Sequence, residues 1–341
     1  MKALRLFGPH DLGLQNEAQP VPAPGQVLVR VTAVGVCGSD LHWFDEAGIG
    51  DAQITHPLVL GHELAGIVES QSSPLYGQHV AIDPAIPCQV CEFCLEGSPN
   101  LCADLHFAGH GLTDGGLQEF MVWPERCLYP LPEPLSDADG AILEPLGVAL
   151  YAVDLADLRP GMAVGVIGCG PIGLLIIQLA RLSGATRIIA TDRMQHRLEA
   201  ARMFGATDVI LVDEAWKDEL VWNATGGRGV PVAFEVAGEN QAVETAIAAA
   251  RPGGRIVLVG IPYPDVTTFT ASAARRKGLT LQLCRRMKFT YPRAIRLVEQ
   301  GLVDVRSLVT HRFPLSGAEH AFRIAQARQG LKVIIEPSSK E

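Results

Sequence analysis

Hydrophobic and polar positions follow two different patterns in the two parts of the chain. In the first part, short segments that alternate between apolar and polar residues are separated by Gly and Pro, and Gln26 to Val34 is the clearest of them. Such alternation predicts strands with one buried face. Leu64 to Glu69 and His79 to Asp83 are two further predicted strands. We therefore expect a compact β domain at the start of the chain.

The pattern changes after Met162, where short continuous apolar runs alternate with segments of helical period. Such runs are typical of parallel strands that are buried on both faces. The predicted strands are 163–167, 187–191, 209–212, 232–236, 255–260 and 279–283. One predicted helix follows the first strand and ends at 182, and the others cover 195–204, 218–224 and 241–250. This order predicts an α/β fold with a doubly wound sheet of six strands. Helices at 291–300 and 317–329 and a strand at 331–335 are expected to follow.

A glycine-rich turn connects the first of these strands to its helix. The turn consists of Gly168, Cys169, Gly170, Pro171, Ile172 and Gly173. Strand, glycine turn, helix, strand and a terminal acid in this order predict a dinucleotide site. The pyrophosphate is expected at the helix N terminus, where free N–H groups and the helix dipole favour anions.

The terminal acid of this pattern is Asp192, which is predicted to accept hydrogen bonds from the adenosine ribose hydroxyls. Its negative charge would repel a 2′-phosphate, so the pattern favours NAD over NADP. Arg193 and Arg197 lie close by in the sequence and leave the strictness of that choice open. An arginine after the acid can also stack on the adenine ring.

Composition and charge exclude several classes of protein. A formal net charge of −9 argues against nucleic acid as a partner. The uncharged segment from Met162 to Ala180 contains several glycines and Pro171, so it predicts a strand, a turn and a helix rather than a membrane span. The apolar run at the N terminus is too short for a signal peptide. We therefore expect a cytoplasmic protein with no membrane partner.

Four of the eight cysteines lie close together in the sequence: Cys88, Cys91, Cys94 and Cys102. Their spacing allows four thiolates from one loop to surround a tetrahedral ion and leaves no coordination position open. Disulfide bonds are the alternative, but a reducing compartment disfavours them. The cluster therefore predicts a structural zinc site.

A second set of candidate ligands lies between Val36 and Gly66 and contains Cys37, Ser39, His42, His62 and Glu63. A catalytic zinc needs three protein ligands and one open position, which Cys37, His62 and one carboxylate would provide. A buried cysteine and two histidines in unrelated turns are the alternative interpretation.

Glu144 is a further candidate, because it lies in an apolar predicted helix. A carboxylate among apolar neighbours is costly unless it is paired or binds a metal. A glutamate on the exposed face of that helix is the alternative.

Together these sequence motifs resemble those of the zinc-dependent medium-chain dehydrogenases, and the resemblance covers nearly the whole chain. The matching segments are Gly35–His42, Gly61–Glu63, the four-cysteine cluster, Glu144–Leu146, the glycine turn and Thr310–Leu315. The resemblance is closest to the polyol branch, which includes sorbitol and xylitol dehydrogenases. The L-threonine and butanediol dehydrogenases come next.

The resemblance implies a GroES-like, β-rich catalytic domain formed by residues 1–146 and 286–341, with the structural zinc lobe at 86–104. A Rossmann domain would occupy residues 147–285, and the chain would form a homotetramer or homodimer. Cys37 and His62 would hold the catalytic zinc together with an acid. Of Glu63 and Glu144, one would bind the metal directly and the other through its water; we favour Glu63 as the direct ligand.

The resemblance also implies a chemistry. Zinc would lower the pKa of a substrate hydroxyl, and the substrate carbon would then transfer hydride to NAD. Ser39 would take the proton and His42 would pass it to solvent, although His42 could instead cap a turn.

Trp43 and Arg286 are candidates for substrate contacts. Trp43 would form a wall of the pocket, and an aromatic residue of the core is the alternative. Met287 follows Arg286 where the polyol branch has a tyrosine, so one hydrogen bond to the substrate is lost.

The expected reaction is therefore the oxidation of a secondary alcohol of a polyol to a ketone. An L-threonine or 2,3-butanediol dehydrogenase is the alternative within the family. A zinc- and nucleotide-binding protein without catalysis is the alternative outside it.

Overall fold

The computed structural model describes residues 1–212 and 219–339. Close contacts divide the chain into two units. Unit 1 contains Met1–Pro145, Tyr291–Gly301 and Val305–Glu341, and unit 2 contains Leu146–Thr290 and Leu302–Asp304. Among the described residues, no helix is both long enough and apolar enough to cross a membrane.

The strands are numbered in chain order. They are β1 (Lys2–Gly8), β2 (Asp11–Asn16), β3 (Gln26–Gly35), β4 (Gly48–Ile49), β5 (Ala52–Gln53), β6 (Leu58–Val59), β7 (Glu63–Val68), β8 (His79–Ile82), β9 (Ala85–Ile86), β10 (His106–Phe107), β11 (Phe120–Pro124), β12 (Leu128–Pro130), β13 (Ala163–Ile167), β14 (Arg187–Asp192), β15 (Asp208–Leu211), β16 (Val230–Glu235), β17 (Ala250–Leu258), β18 (Thr280–Leu283), β19 (Val309–Pro314) and β20 (Lys332–Glu336).

The α-helices follow the same convention. They are α1 (Gly38–Glu46), α2 (Glu92–Leu95), α3 (Asp137–Leu155), α4 (Pro171–Leu182), α5 (Gln195–Met203), α6 (Glu219–Ala224), α7 (Asn240–Ala249), α8 (Ala271–Lys277), α9 (Tyr291–Glu299) and α10 (Ala318–Gln326).

Unit 1 is built around a sheet of seven strands in the order β12-β8-β7-β3-β20-β19, with β11 also pairing with β3. Alternation along β3 buries one face of the strand, and its side chains join a core that includes Val29, Leu64 and Phe322. The C-terminal strand β20 pairs with the end of β3, and the same end of β3 pairs with the start of β7. The last strand of the chain is therefore brought beside Gly35 and Glu63.

Unit 2 is a parallel sheet of six strands in the order β15-β14-β13-β16-β17-β18. This confirms the predicted doubly wound sheet. The chain builds outward from β13 through β14 to β15 and then crosses to β16 on the other side of β13. In sheets of this type, the ligand crevice lies outside the carboxyl ends of the strands at such a reversal of strand order.

Three helices, α1, α2 and α8, lie outside the predicted helices. The β domain expected at the start of the chain contains no predicted helix, and this is wrong for the segment after Cys37, because Gly38–Glu46 forms α1. The carboxylate of Asp40 accepts a hydrogen bond from the main-chain N–H of Cys37 at 2.9 Å, which satisfies a free donor at the start of the helix. Helices α2 and α8 were not predicted either. The predicted helix at 218–224 begins at a residue outside the described part of the chain, and α6 starts at Glu219.

Candidate metal centres and dinucleotide site

The first candidate centre lies in unit 1, where the N terminus of α1 meets the start of β7. Cys37 precedes α1, His62 directly precedes β7, and Glu63 is the first residue of β7. The thiol sulfur, an imidazole nitrogen and a carboxylate oxygen of these three residues all lie within 4.8 Å of one another. His62 and Glu63 are buried. One thiolate, one imidazole and one carboxylate match the donors of a catalytic zinc that keeps its fourth position open.

Asp40 orients this donor set, and sequence reasoning did not single it out. Its carboxylate is almost fully buried, and Oδ1 lies 3.3 Å from Nδ1 of His62. Oδ1 also accepts the main-chain N–H of Gly61 at 3.2 Å. An imidazole whose Nδ1–H donates to a carboxylate keeps the lone pair on Nε2 for a metal. The spacing from Cys37 to Asp40, one helical turn, is the signal that could have identified it.

Ser39 stands on the other side of the imidazole. Its hydroxyl oxygen lies 3.4 Å from Nε2 of His62. Ser39 therefore lies beside the proposed donor set, and its role as the first proton acceptor stays a prediction. His42 is half-buried one turn later on the same helix. Residues three apart on a helix share a face, so Ser39 and His42 lie on the same side of α1, and their proton relay stays a prediction.

Lys332 is the second residue that sequence reasoning missed. Its ammonium group is buried and donates to both carboxylate oxygens of Glu63, at 2.6 and 2.7 Å, and to the carbonyl oxygen of Val36 at 3.0 Å. Burial is the largest single influence and lowers the pKa of Lys332, but Glu63, Cys37 and Asp40 together raise it by more, so the amine stays charged. A Cβ at Gly35 would lie 1.9 Å from Oε2 of Glu63, so only glycine fits beneath this carboxylate.

Glu144 is buried on α3, as its apolar surroundings in the sequence suggested. Burial raises its pKa to about 7; His62 opposes this shift and the Glu63 carboxylate adds to it. Burial lowers the pKa of His62, but Asp40 and Cys37 raise it well above its ordinary value. Protons therefore compete with a metal for His62. Of the two acids, Glu63 belongs to the donor set defined by mutual distance. Which of the two binds the metal directly stays a prediction.

The two predicted substrate residues are Trp43 and Arg286. Trp43 is 2% exposed and belongs to the core of unit 1, with its ring 5.4 Å from that of His110 in an edge-on arrangement. Its position favours the core interpretation, and its role as a pocket wall stays a prediction. Arg286 lies in unit 2 after β18 and has a φ of 55°. Its contact with substrate also stays a prediction.

The second candidate centre is the four-cysteine loop. The four sulfur atoms all lie within 4.8 Å of one another, and those of Cys88 and Cys94 are 4.0 Å apart. In a tetrahedral zinc site with four sulfur ligands, neighbouring sulfur atoms lie about 3.8 Å apart. The main-chain N–H groups of Val90 and Cys91 lower the pKa of Cys88 to about 6, which favours its thiolate. All four cysteines are free, so the donors fit a structural zinc and not disulfide bonds.

The glycine turn in unit 2 has the geometry that a pyrophosphate requires. Gly168 has a φ of +106°, and a Cβ at Gly173 would lie 2.0 Å from the carbonyl oxygen of Gly168. Helix α4 begins at Pro171, whose missing N–H costs nothing at that position. The free N–H groups of this terminus can therefore bind an anion.

Asp192 ends β14 beside this turn. Its Oδ2 accepts the N–H of Cys169 at 2.7 Å and its Oδ1 accepts that of Met194 at 2.8 Å. Each oxygen retains a lone pair for a ribose hydroxyl. Arg193 lies 3.4 Å from a carboxylate oxygen of Glu239, and Arg197 lies 3.8 Å from the place that a Cβ at Gly170 would take. Both arginines thus lie close to the predicted adenosine site.

Comparison with known proteins places both units in one family. Residues 23–133 match the alcohol dehydrogenase GroES-like domain, and residues 171–300 match the zinc-binding dehydrogenase domain. The chain is 33% identical to sorbitol dehydrogenase of Bacillus subtilis, covering 99% of this chain and 98% of that protein. It is 37% identical to D-xylulose reductase A of Aspergillus oryzae, covering 94% of this chain and 92% of that protein.

A solved structure gives the same result. The structure of L-idonate 5-dehydrogenase from Escherichia coli superposes with a TM-score of 0.91 at 30% identity and covers 98% of both chains. The predicted family and fold class are therefore confirmed. By its sequence, its two folds and its donor sets, the chain belongs to the zinc-dependent medium-chain dehydrogenases, and it is an enzyme of that family.

Proposed function

We propose that this dehydrogenase oxidises a secondary alcohol of a polyol to a ketone, with NAD as the hydride acceptor. The observation that carries the proposal is the donor set of Cys37, His62 and Glu63, with Ser39 in contact with the imidazole. Relatives named sorbitol dehydrogenase and D-xylulose reductase support a polyol as substrate. One zinc would bind at this donor set and a second at the four cysteines.

The protein residues would perform three tasks in this reaction. When bound, zinc supplies the Lewis acidity that lowers the pKa of the substrate hydroxyl, and NAD supplies the hydride acceptor. Cys37, His62 and an acid hold the metal, while Asp40 fixes the ring of His62. Ser39 accepts the proton that the hydroxyl loses, and His42 transfers it towards solvent, because imidazole groups exchange protons readily near neutral pH.

The preference for NAD rests on Asp192. Its carboxylate is 7% exposed and held in place by two main-chain N–H groups. A fixed, nearly buried negative charge repels a 2′-phosphate and accepts hydrogen bonds from free ribose hydroxyls. Titration of the purified protein with NADH and with NADPH measures this preference. Tighter binding of NADPH would refute it.

A substrate panel tests the proposed reaction. Sorbitol, xylitol, galactitol, L-threonine and 2,3-butanediol are offered with NAD to zinc-loaded protein, and NADH formation is followed by absorbance. We expect the highest kcat/KM on one of the three polyols. A highest value on L-threonine or on butanediol would instead identify the alternative branch, and no turnover of any of them would refute the proposal.

We also propose a homotetramer or homodimer in the cytoplasm. The edge strand β18 and the segment after β17 expose apolar side chains, among them Tyr263, Val266 and Leu283. Free thiols at all eight cysteines suit a reducing compartment. Light scattering on the purified protein measures the assembly, and a monomer would contradict it.

A further inference from the structure

A buried carboxylate that the zinc chemistry does not use lies at the carboxyl end of β16. Glu235 is the last residue of that strand and is 2% exposed. Its Oε1 accepts the main-chain N–H groups of Ala237 at 2.8 Å and of Gly238 at 2.7 Å. A buried carboxylate is costly unless hydrogen bonds satisfy it, and here the donors come from the loop that follows the strand.

The main chain of Glu235 also forms hydrogen bonds with the residues that follow the neighbouring strand β17. The main-chain carbonyl oxygen of Glu235 accepts the N–H of Val259 at 2.9 Å and that of Gly260 at 3.2 Å. A Cβ at Gly260 would lie 2.2 Å from the nitrogen of Gly238 and 2.9 Å from Oε2 of Glu235. The loops after β16 and β17 therefore touch backbone to backbone, with the Glu235 side chain packed against both.

The position of these loops in the sheet indicates what they hold. Strand β16 pairs with β13 on the side away from β14, and Glu235 is in register with Ile167, the last residue before the glycine turn. A dinucleotide lies across the crevice at this reversal of strand order. Asp192 at the end of β14 marks the adenosine half and the glycine turn marks the pyrophosphate. The nicotinamide half must then extend over the ends of β16 and β17.

Two further features suit this placement. Gly168 approaches the loop after β16, because a Cβ there would lie 2.9 Å from the nitrogen of Ala237. Ile261 directly follows Gly260 and is 48% exposed, which offers an apolar surface beside the polar main-chain groups. A carboxamide on an aromatic ring needs this combination of main-chain hydrogen-bonding groups and an apolar contact.

We propose that Glu235 is a positioning residue for the nicotinamide half of the cofactor. It fixes the main-chain groups of residues 236–238 and 259–261 in the arrangement that binds the carboxamide and ring. The inference rests on the proposed use of NAD. It adds that recognition of the nicotinamide end depends on a buried acid that itself touches no part of the ligand.

Comparing the binding of two ligands distinguishes a role of Glu235 at the nicotinamide end from a general effect on the stability of the domain. NADH contains the nicotinamide ring, whereas ADP-ribose lacks it and keeps the adenosine and pyrophosphate. Both are titrated into wild-type protein, Glu235→Ala, Glu235→Gln and Gly260→Ala by calorimetry. We expect Glu235→Ala to weaken NADH binding by about tenfold or more, because main-chain donors lose a charged acceptor. ADP-ribose binding should stay unchanged. Gly260→Ala should show the same selective loss without removing the acid, and Glu235→Gln should restore part of the affinity.

A matched control is Thr245→Val in α7. Thr245 is buried in the same unit, and its hydroxyl donates to the carbonyl oxygen of Gln241 within its own helix, at 3.0 Å. This variant should leave both affinities unchanged. Equal losses for NADH and ADP-ribose in Glu235→Ala, or no loss of either, would overturn the role of Glu235. Wild-type protein that binds neither ligand would instead refute the cofactor assignment of the proposed function.

Discussion

Replacing Lys332 by methionine should destabilise the zinc-free protein strongly. The ammonium group and the Glu63 carboxylate are 3% and 1% exposed, and they are joined by contacts of 2.6 and 2.7 Å. Methionine keeps the length and apolar stem of lysine but removes the charge. Glu63 is then left as an unpaired charge in the interior. Breaking a buried ion pair by removing one partner costs about 3–5 kcal/mol.

A second substitution, or the metal, should relieve this cost. Glu63→Gln in the Lys332→Met background removes the unpaired charge, so the double variant should recover most of the lost stability. Zinc at the Cys37 donor set supplies another positive partner for Glu63, so the loss should be smaller in zinc-loaded than in chelator-treated protein. Both effects follow from the burial of the carboxylate.

Urea denaturation with and without a chelator measures these differences. Arg323→Ala is the control, because Arg323 and Glu319 form a surface pair that is 68% and 57% exposed. That substitution should change the free energy of unfolding by less than about 0.5 kcal/mol. A cost for Lys332→Met as small as that of the control, or one that Glu63→Gln makes worse, would refute the buried ion pair as the device that holds Glu63.

Three further predictions concern the two metal centres. Asp40→Ala should weaken zinc binding at the Cys37 donor set by about 10- to 100-fold, because His62 loses its orienting carboxylate. Competition with a chelator measures the zinc affinity, and an unchanged value would contradict this prediction. The raised pKa of Glu144, about 7, means that zinc-free protein loses stability as the pH rises from the unfolded-state value near 4.5 to about 7. Glu144→Gln should remove that loss. In urea denaturation with chelator, the variant should be more stable than wild type by up to about 3 kcal/mol at pH 8 but no more stable at pH 4.5. Free energies of unfolding that change in parallel with pH in the two proteins would contradict the assignment. Cys94→Ser should lose the structural zinc in metal analysis while Cys127→Ser, at a buried thiol outside the cluster, keeps it; equal zinc contents would refute the four-cysteine site.

The Rossmann sheet was predictable because its signals are local. Each buried parallel strand is a continuous apolar run, and the glycine turn and Asp192 mark the ends of two adjacent strands. Helix α1 was harder to predict, because only nine residues form it and its first turn is polar. Its start is fixed by a hydrogen bond from Cys37 to the carboxylate of Asp40, a capping signal that hydrophobic periodicity does not carry.

The supporting residues of the metal centre could not be found from the sequence. Lys332 and Glu63 are 269 positions apart, and only the pairing of β20 and β7 with the same strand brings them together. Cys37 and His62 were predicted as ligands because their residue types suit zinc, whereas a lysine in an apolar strand has no pattern of its own. The ambiguity between Glu63 and Glu144 has the same origin, since both acids are buried and the sequence does not give their distances to the thiol.

The central claim is that Cys37 and His62, with a buried acid, hold an exchangeable zinc on which alcohol oxidation depends. Zinc content and turnover of the best polyol, measured together for wild type and Cys37→Ser, test it most directly. Wild type should contain one zinc for each of the two donor groups, and the variant should keep only the ion of the four cysteines. Turnover by the variant should fall by at least about a thousandfold. A variant that keeps both ions, or that oxidises the polyol at the wild-type rate, would contradict the account.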